Sequence, residues 1–169
     1  MAEKHPDPTA VVLTLSDTVA SGAKPDTAGA AVVDALNASG IRVVAHEVLS
    51  DDPAELVVAM ERWLLTRPEV IITVGGTGVG PRDHTPDTIA PMLTMPIPGI
   101  MEAARAYGMT KTPNAMLSRG IAGLIGTTIV VTAPGSRGGA TETMEAIVDG
   151  LRHLVDVVHV KFPHDGGYA

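Results

Sequence analysis

The chain of 169 residues has no cysteine, which excludes disulfides and thiolate metal sites. Aromatic residues make up only 2% of it: one Trp, one Phe and two Tyr. A single-stranded nucleic-acid binder that stacks bases on rings is therefore excluded, and the core must be aliphatic. Long basic clusters are also missing and the formal net charge is −7. Duplex DNA needs Lys and Arg against its phosphates, so no nucleic-acid partner is expected. No apolar run approaches the ~20 residues of a membrane span. The start, Met1-Ala2-Glu3-Lys4-His5-Pro6-Asp7-Pro8, lacks the apolar centre of a signal peptide. These absences point to a cytoplasmic protein with no membrane partner.

What is present is 45% hydrophobic and 18% charged, within the range of globular domains. Neither a repeat nor a linker is visible, so a single domain over residues 9–160 is expected, with a flexible leader at 1–8 and a flexible tail at 161–169. Three short runs rich in β-branched residues read as strands buried on both faces: 9–15, 70–74 and 128–132. Residues 41–49 read as a further strand. Gly29, Val32, Val33 and Leu36 recur at helical spacing, as do Leu56, Ala59, Met60, Trp63 and Leu64, and Met144, Ile147, Val148, Leu151 and Val155. Residues 16–22 read as a polar loop, and 84–112 as helical but broken by Pro91, Pro96 and Pro98. Residues 120–126 suit a short strand or hairpin arm. Strands alternating with helices imply an α/β fold: a three-layer domain, mostly parallel sheet with helices on both faces.

In such a sheet ligands sit beyond the carboxyl ends of the strands. Four stretches converge there: Ser16-Asp17, Ser50-Asp51-Asp52, residues 75–83, and Pro134-Gly135-Ser136. The third follows a strand as Gly75-Gly76-Thr77-Gly78 and leads to Pro81-Arg82-Asp83. Its glycines allow backbone angles closed to other residues, and its N–H groups can form an anion nest. It is neither a Walker A loop nor a dinucleotide-binding Gly-x-Gly-x-x-Gly. Either Asp51 or Asp52 caps the helix opened by Pro53, which leaves the other carboxylate over. Carboxylates from two loops beside a phosphate cradle suit Mg²⁺. Arg82 could pair with a phosphate or with Asp83, and Ser118-Arg119 could hold an anion or form a surface turn. The six histidines lack metal-ligand spacing and read as surface or boundary residues.

At these residues the chain resembles the MogA/MoaB family of molybdenum-cofactor biosynthesis proteins. The resemblance rests on Gly75-Gly76-Thr77-Gly78 through Arg82-Asp83 to Thr85-Pro86-Asp87. Ser16-Asp17, Asp26 with Gly29, Asp51, Pro98-Gly99, Leu117-Ser118-Arg119 and Pro134-Gly135-Ser136 support it. It departs at Thr132-Ala133, Asp87 and Arg137-Gly138, where the family commonly carries other residues. The resemblance implies a pocket for molybdopterin and transfer of AMP from Mg·ATP to its phosphate. It places the two aspartates of that step, which hold Mg²⁺, at Asp51 and Asp83. Substrate-binding residues are then expected at Ser16, Asp17, Gly75, Gly76, Thr77, Gly78, Arg82, Ser118, Arg119, Pro134, Gly135 and Ser136. It further implies a homotrimer or hexamer, with ATP as co-substrate. A non-catalytic molybdopterin-binding or carrier protein is the alternative.

Overall fold

A computed structural model describes residues 4–160. Its strands are β1 (Thr9–Leu15), β2 (Arg42–Leu49), β3 (Val70–Val74), β4 (Met95–Pro96), β5 (Ala122–Ile125) and β6 (Thr128–Ala133). They form one sheet in the order β2-β1-β3-β6-β5-β4. The first four strands of that order are parallel, and β5 and β4 add an antiparallel edge. The helices are α1 (Asp17–Ala20), α2 (Thr27–Ala38), α3 (Pro53–Leu64), α4 (Thr85–Ile89), α5 (Pro98–Met109) and α6 (Arg137–His159).

The alternation of side chains along a strand divides the core in two. Ala10 and Val12 of β1, Ile72 and Val74 of β3, and Ile129 and Val131 of β6 face α2, α5 and α6. Val11, Leu13 and Leu15, with Ile71 and Val130, face the opposite way onto Leu56, Ala59 and Met60 of α3 and Ile89 of α4. Every residue of β3 and β6 is buried, which is why their sequences show continuous apolar runs. The expected α/β architecture is therefore the one observed, with the sheet sandwiched between helices. Among the described residues, no helix is long and apolar enough to cross a membrane.

Several local expectations change. The polar loop at 16–22 contains α1, because the Ser16 hydroxyl accepts from the Val19 N–H and caps a single turn. The broken helical stretch holds α4, a 3₁₀ turn, the two-residue strand β4 and then α5. Pro96 is tolerated in β4 because β4 is the last strand at that edge of the sheet. Helix α6 starts at Arg137, one turn and more before its first apolar marker, because Ser136 accepts from the Gly139 N–H.

The tail at 161–169 lies outside the described residues, as do residues 1–3 of the leader. The inner half of the leader, expected to be flexible, makes specific contacts. The His5 N–H donates to Asp156 Oδ1 at 2.8 Å, and Arg152 donates to the His5 carbonyl at 2.9 Å and to Asp156 at 2.6 Å. Burial would raise the Asp156 carboxyl, but these donors outweigh it and hold the group below its ordinary value. A carboxyl depressed by folding adds stability above its unfolded value and loses it as pH falls through the folded value. Asp156→Asn should thus cost about 1–2 kcal/mol near neutrality. The gap from wild type should begin to narrow below about pH 4 and close only once pH falls beneath the depressed folded value, where both chains carry a neutral group; urea titrations across pH measure this directly.

Candidate functional site

Strand order places β1 and β3 side by side, with β2 beyond one and β6 beyond the other. The chain thus leaves β1 and β3 in opposite directions across the sheet, and a crevice opens beyond their carboxyl ends. The loops there touch backbone to backbone. Gly75 (φ +115°) lies so close to β1 that a Cβ would sit 2.3 Å from the Leu15 carbonyl oxygen. A Cβ on Gly135 would come within 3.0 Å of the Gly75 Cα. Gly76 (φ +65°) faces the Thr85 hydroxyl equally closely. The glycines thus serve close packing between loops as well as open approach to a ligand.

Two cavities meet at this edge. The larger, about 630 Å³, runs from Gly76, Thr77, Gly78 and Asp83 past Ser118, Pro134, Gly135 and Ser136 to Arg105 of α5 and Glu142 of α6. The smaller, about 320 Å³, is lined by Thr14, Ser16, Lys24, Asp26, Asp51, Gly75, Gly76, Asp83, Gly135, Ser136 and Arg137. Gly76, Asp83, Gly135 and Ser136 belong to both and form a common wall. The N-terminus of α6, a helix of 23 residues, opens at that wall. Its unpaired N–H groups and dipole favour an anion there.

Both candidate carboxylates reach this site. Asp52 caps α3 by accepting from the Ala54 N–H at 2.9 Å, which leaves Asp51 as the remaining carboxylate. One Asp51 oxygen accepts from the Asp17 N–H at 3.0 Å, and one Asp17 oxygen accepts from the Asp51 N–H at 2.9 Å. Asp83 accepts from the Gly80 N–H at 2.8 Å and does not cap α4. Each acid is thus held through one oxygen, and among the described residues its other oxygen has no hydrogen-bond partner. Neither forms an ion pair among the described residues.

Three expected ligand residues line neither cavity, each because its charge is already engaged. Arg82 donates to Asp17 at 2.6 Å, rather than to Asp83 or toward a ligand. The Asp51 N–H, and then Arg82, hold the Asp17 carboxyl below its ordinary value against a smaller opposing effect of burial. Arg119 donates to the Gly78 carbonyl at 2.8 Å, the Asp83 carbonyl at 2.6 Å and both Asp87 oxygens at 3.0 Å. Its own N–H reaches the Thr77 carbonyl at 2.8 Å, so Arg119 pins the glycine loop. Arg105, Lys24 and Arg137 are the cations that line the cavities, and sequence reasoning did not assign them. Lys24 and Arg137 lie in or beside loops already singled out, whereas Arg105 carried no motif signal.

Oxygen donors from two carboxylates suit a hard cation such as Mg²⁺. Among the described residues, no group of three or more His, Asp or Glu is placed to hold a metal ion. Asp51 and Asp83 would therefore need ligand phosphate and water to complete a shell.

Both the sequence and the fold match known proteins. A family described as "Probable molybdopterin binding domain" matches residues 11–153. A molybdenum cofactor biosynthesis bifunctional protein of Chlorobaculum tepidum is 41% identical over 90% of this chain and 48% of its own length. The chain thus spans about half of that relative. Molybdenum cofactor biosynthesis protein B of Staphylococcus aureus is 32% identical over 86% of this chain and 89% of its own. The crystal structure of the molybdopterin biosynthesis enzyme MoaB from Thermus thermophilus superposes with a TM-score of 0.85. It is 36% identical, over 92% of this chain and 99% of that one.

Arg119→Met should free the loop between Gly78 and Asp83 at a cost of about 1–3 kcal/mol, mostly through the lost carbonyl bonds. The exposed pair with Asp87 adds little. Denaturant melting gives the stability cost, and hydrogen exchange at residues 78–83 should show the loosening.

Proposed function

The chain belongs to the molybdopterin-binding family of molybdenum-cofactor biosynthesis proteins, and we propose that it transfers AMP from Mg·ATP to the phosphate of molybdopterin. The observation that carries this reading is the common wall between the two cavities. A reaction that joins two ligands needs adjoining sites whose reacting ends meet, and Gly76, Asp83, Gly135 and Ser136 border both spaces. In this reading molybdopterin occupies the larger cavity, with its phosphate at the common wall. The nucleotide occupies the smaller cavity, with its α-phosphorus at the same place.

The residues divide the work. N–H groups at the start of α6 and in the loop at 75–78 hold phosphate oxygens in line. Lys24 and Arg137, which have no carboxylate partner among the described residues, face the triphosphate in a chain of net charge −7. An oxygen of the molybdopterin phosphate attacks the α-phosphorus, the bond to the bridging oxygen breaks, and pyrophosphate leaves with that electron pair. Phosphate monoesters are largely ionised near neutrality, so no side chain has to remove a proton. Asp51 and Asp83 would hold Mg²⁺, which supplies charge neutralisation on the departing pyrophosphate. The Asp17 clasp keeps Asp51 turned toward the cavity, and Arg119 keeps Asp83 in place.

Asp83→Asn should lower AMP transfer at least a hundredfold while leaving the fold and molybdopterin binding intact. Pyrophosphate release and the adenylylated product are the readouts, and near-normal turnover would remove Asp83 from the mechanism. Removing Mg²⁺ with a chelator should stop pyrophosphate release in wild type, with full recovery on adding it back. Wild-type protein that binds molybdopterin yet forms neither product would instead be a carrier. The proposal also includes a homotrimer or hexamer, which light scattering tests; a stable monomer would overturn that part.

A further inference from the structure

Three polar side chains from different elements converge beside the smaller cavity, which Thr14 and Asp26 line. Asp26 caps α2, with one oxygen accepting from the Gly29 N–H at 2.7 Å. Its other oxygen lies 2.9 Å from His46 Nε2 on β2. The same nitrogen lies 3.1 Å from the hydroxyl of Thr14 on β1. All three meet over Gly29, where a Cβ would stand 2.3 to 2.5 Å from each of them. Only glycine at that position lets the three side chains come together.

The chemistry of these atoms sets the direction of each bond. An ionised carboxylate only accepts, so His46 Nε2 must carry a hydrogen to bond Asp26. A nitrogen that carries a hydrogen has no lone pair for the Thr14 hydroxyl. The Thr14 oxygen can then only accept from Nε2, and its own hydrogen is left to donate. Thr14 is 3% exposed and lines the smaller cavity. Among the described residues, that hydrogen has no acceptor. A buried donor without an acceptor is costly unless a ligand or water supplies one.

Resting on the reading above that the smaller cavity takes the nucleotide, we propose that Thr14 donates its hydroxyl hydrogen to an acceptor oxygen of that nucleotide, and that His46 is the positioning residue that leaves this hydrogen free. His46 does not touch the nucleotide. It fixes which way the Thr14 dipole points, and it occupies the Asp26 oxygen that would otherwise attract the Thr14 hydrogen. The cavity therefore offers a donor to an anionic ligand at a place where two side chains could have formed a closed pair.

Isothermal titration calorimetry of Mg·ATP tests this on the whole chain. Thr14→Val keeps the shape and removes the hydroxyl, and should weaken nucleotide binding about tenfold. His46→Leu removes the Nε2 donor and should weaken it to a similar degree. His46→Gln can still donate to Asp26 from its amide and should stay within about threefold of wild type. Molybdopterin affinity should be unchanged in all three. If His46→Leu does not fold, Thr14→Val alone decides, since it changes no partner of Asp26. Thr14→Val binding Mg·ATP as tightly as wild type would overturn the inference while leaving the proposed function standing. Wild-type protein that binds no nucleotide would overturn both. A His46→Gln variant as weak as His46→Leu would remove the positioning role.

Discussion

The site depends on how closely three backbones can approach at one edge of the sheet. The chain leaving β3 runs between the end of β1 and the loop after β6, and it touches both. Only glycine at positions 75 and 135 permits this, because a side-chain carbon at either would meet main-chain atoms. The contact draws the loops after β1, β3 and β6 into a single wall, and the α6 N-terminus opens onto it. A larger residue at position 75 would push the loop outward and part Asp83 from Asp51. The position of the carboxylates is in this sense a result of main-chain packing, with side-chain bonds setting only their final orientation.

Charge at the site is arranged in two tiers. Arg82, Asp17 and Arg119 neutralise one another or hold loop carbonyls, and they give the loops their shape. Asp51, Asp83, Lys24 and Arg137 line the cavities and, among the described residues, keep polar atoms without a partner. A residue type that suits ligand binding can therefore serve the scaffold in the same few ångströms. Arg119 shows the difference most clearly. Its guanidinium has the fork shape that suits a phosphate, and every nitrogen of it already donates to protein.

Much of the architecture was legible in the chain. Buried parallel strands must be apolar on both faces, so their runs stand out without any alternation to decode. The Ser50-Asp51-Asp52-Pro53 cluster announced a cap, although not which acid would serve; the bond from Ala54 settled that in favour of Asp52. The glycine loop stood out in the sequence and was read there as an anion cradle, yet its packing duty against Leu15 and Thr85 carried no signal, because that contact joins segments some sixty residues apart in one case and nine in the other. Short elements such as α1 and β4 were hidden for a different reason. A single capping hydroxyl or two edge hydrogen bonds create them, and neither leaves a periodic pattern. The convergence of Thr14, His46 and Asp26 had no local signal either. A histidine on a strand edge looks like any surface histidine until the neighbouring strand and helix are in place.

The common wall has a thermodynamic consequence. If the two cavities hold the two ligands of the proposed reaction, those molecules lean on the same four residues and are coupled. Whatever factor the first occupant applies to the second's affinity, the second must return in equal measure to the first. If the first arrival freezes the glycine loop, it lowers the ordering entropy left for the second to supply, and each recruits the other. If their phosphates crowd the α6 terminus, each expels the other by the same reciprocal factor. A protein with separated compartments could tune two affinities one at a time; under the proposed function, a change at any of the four shared residues would move both.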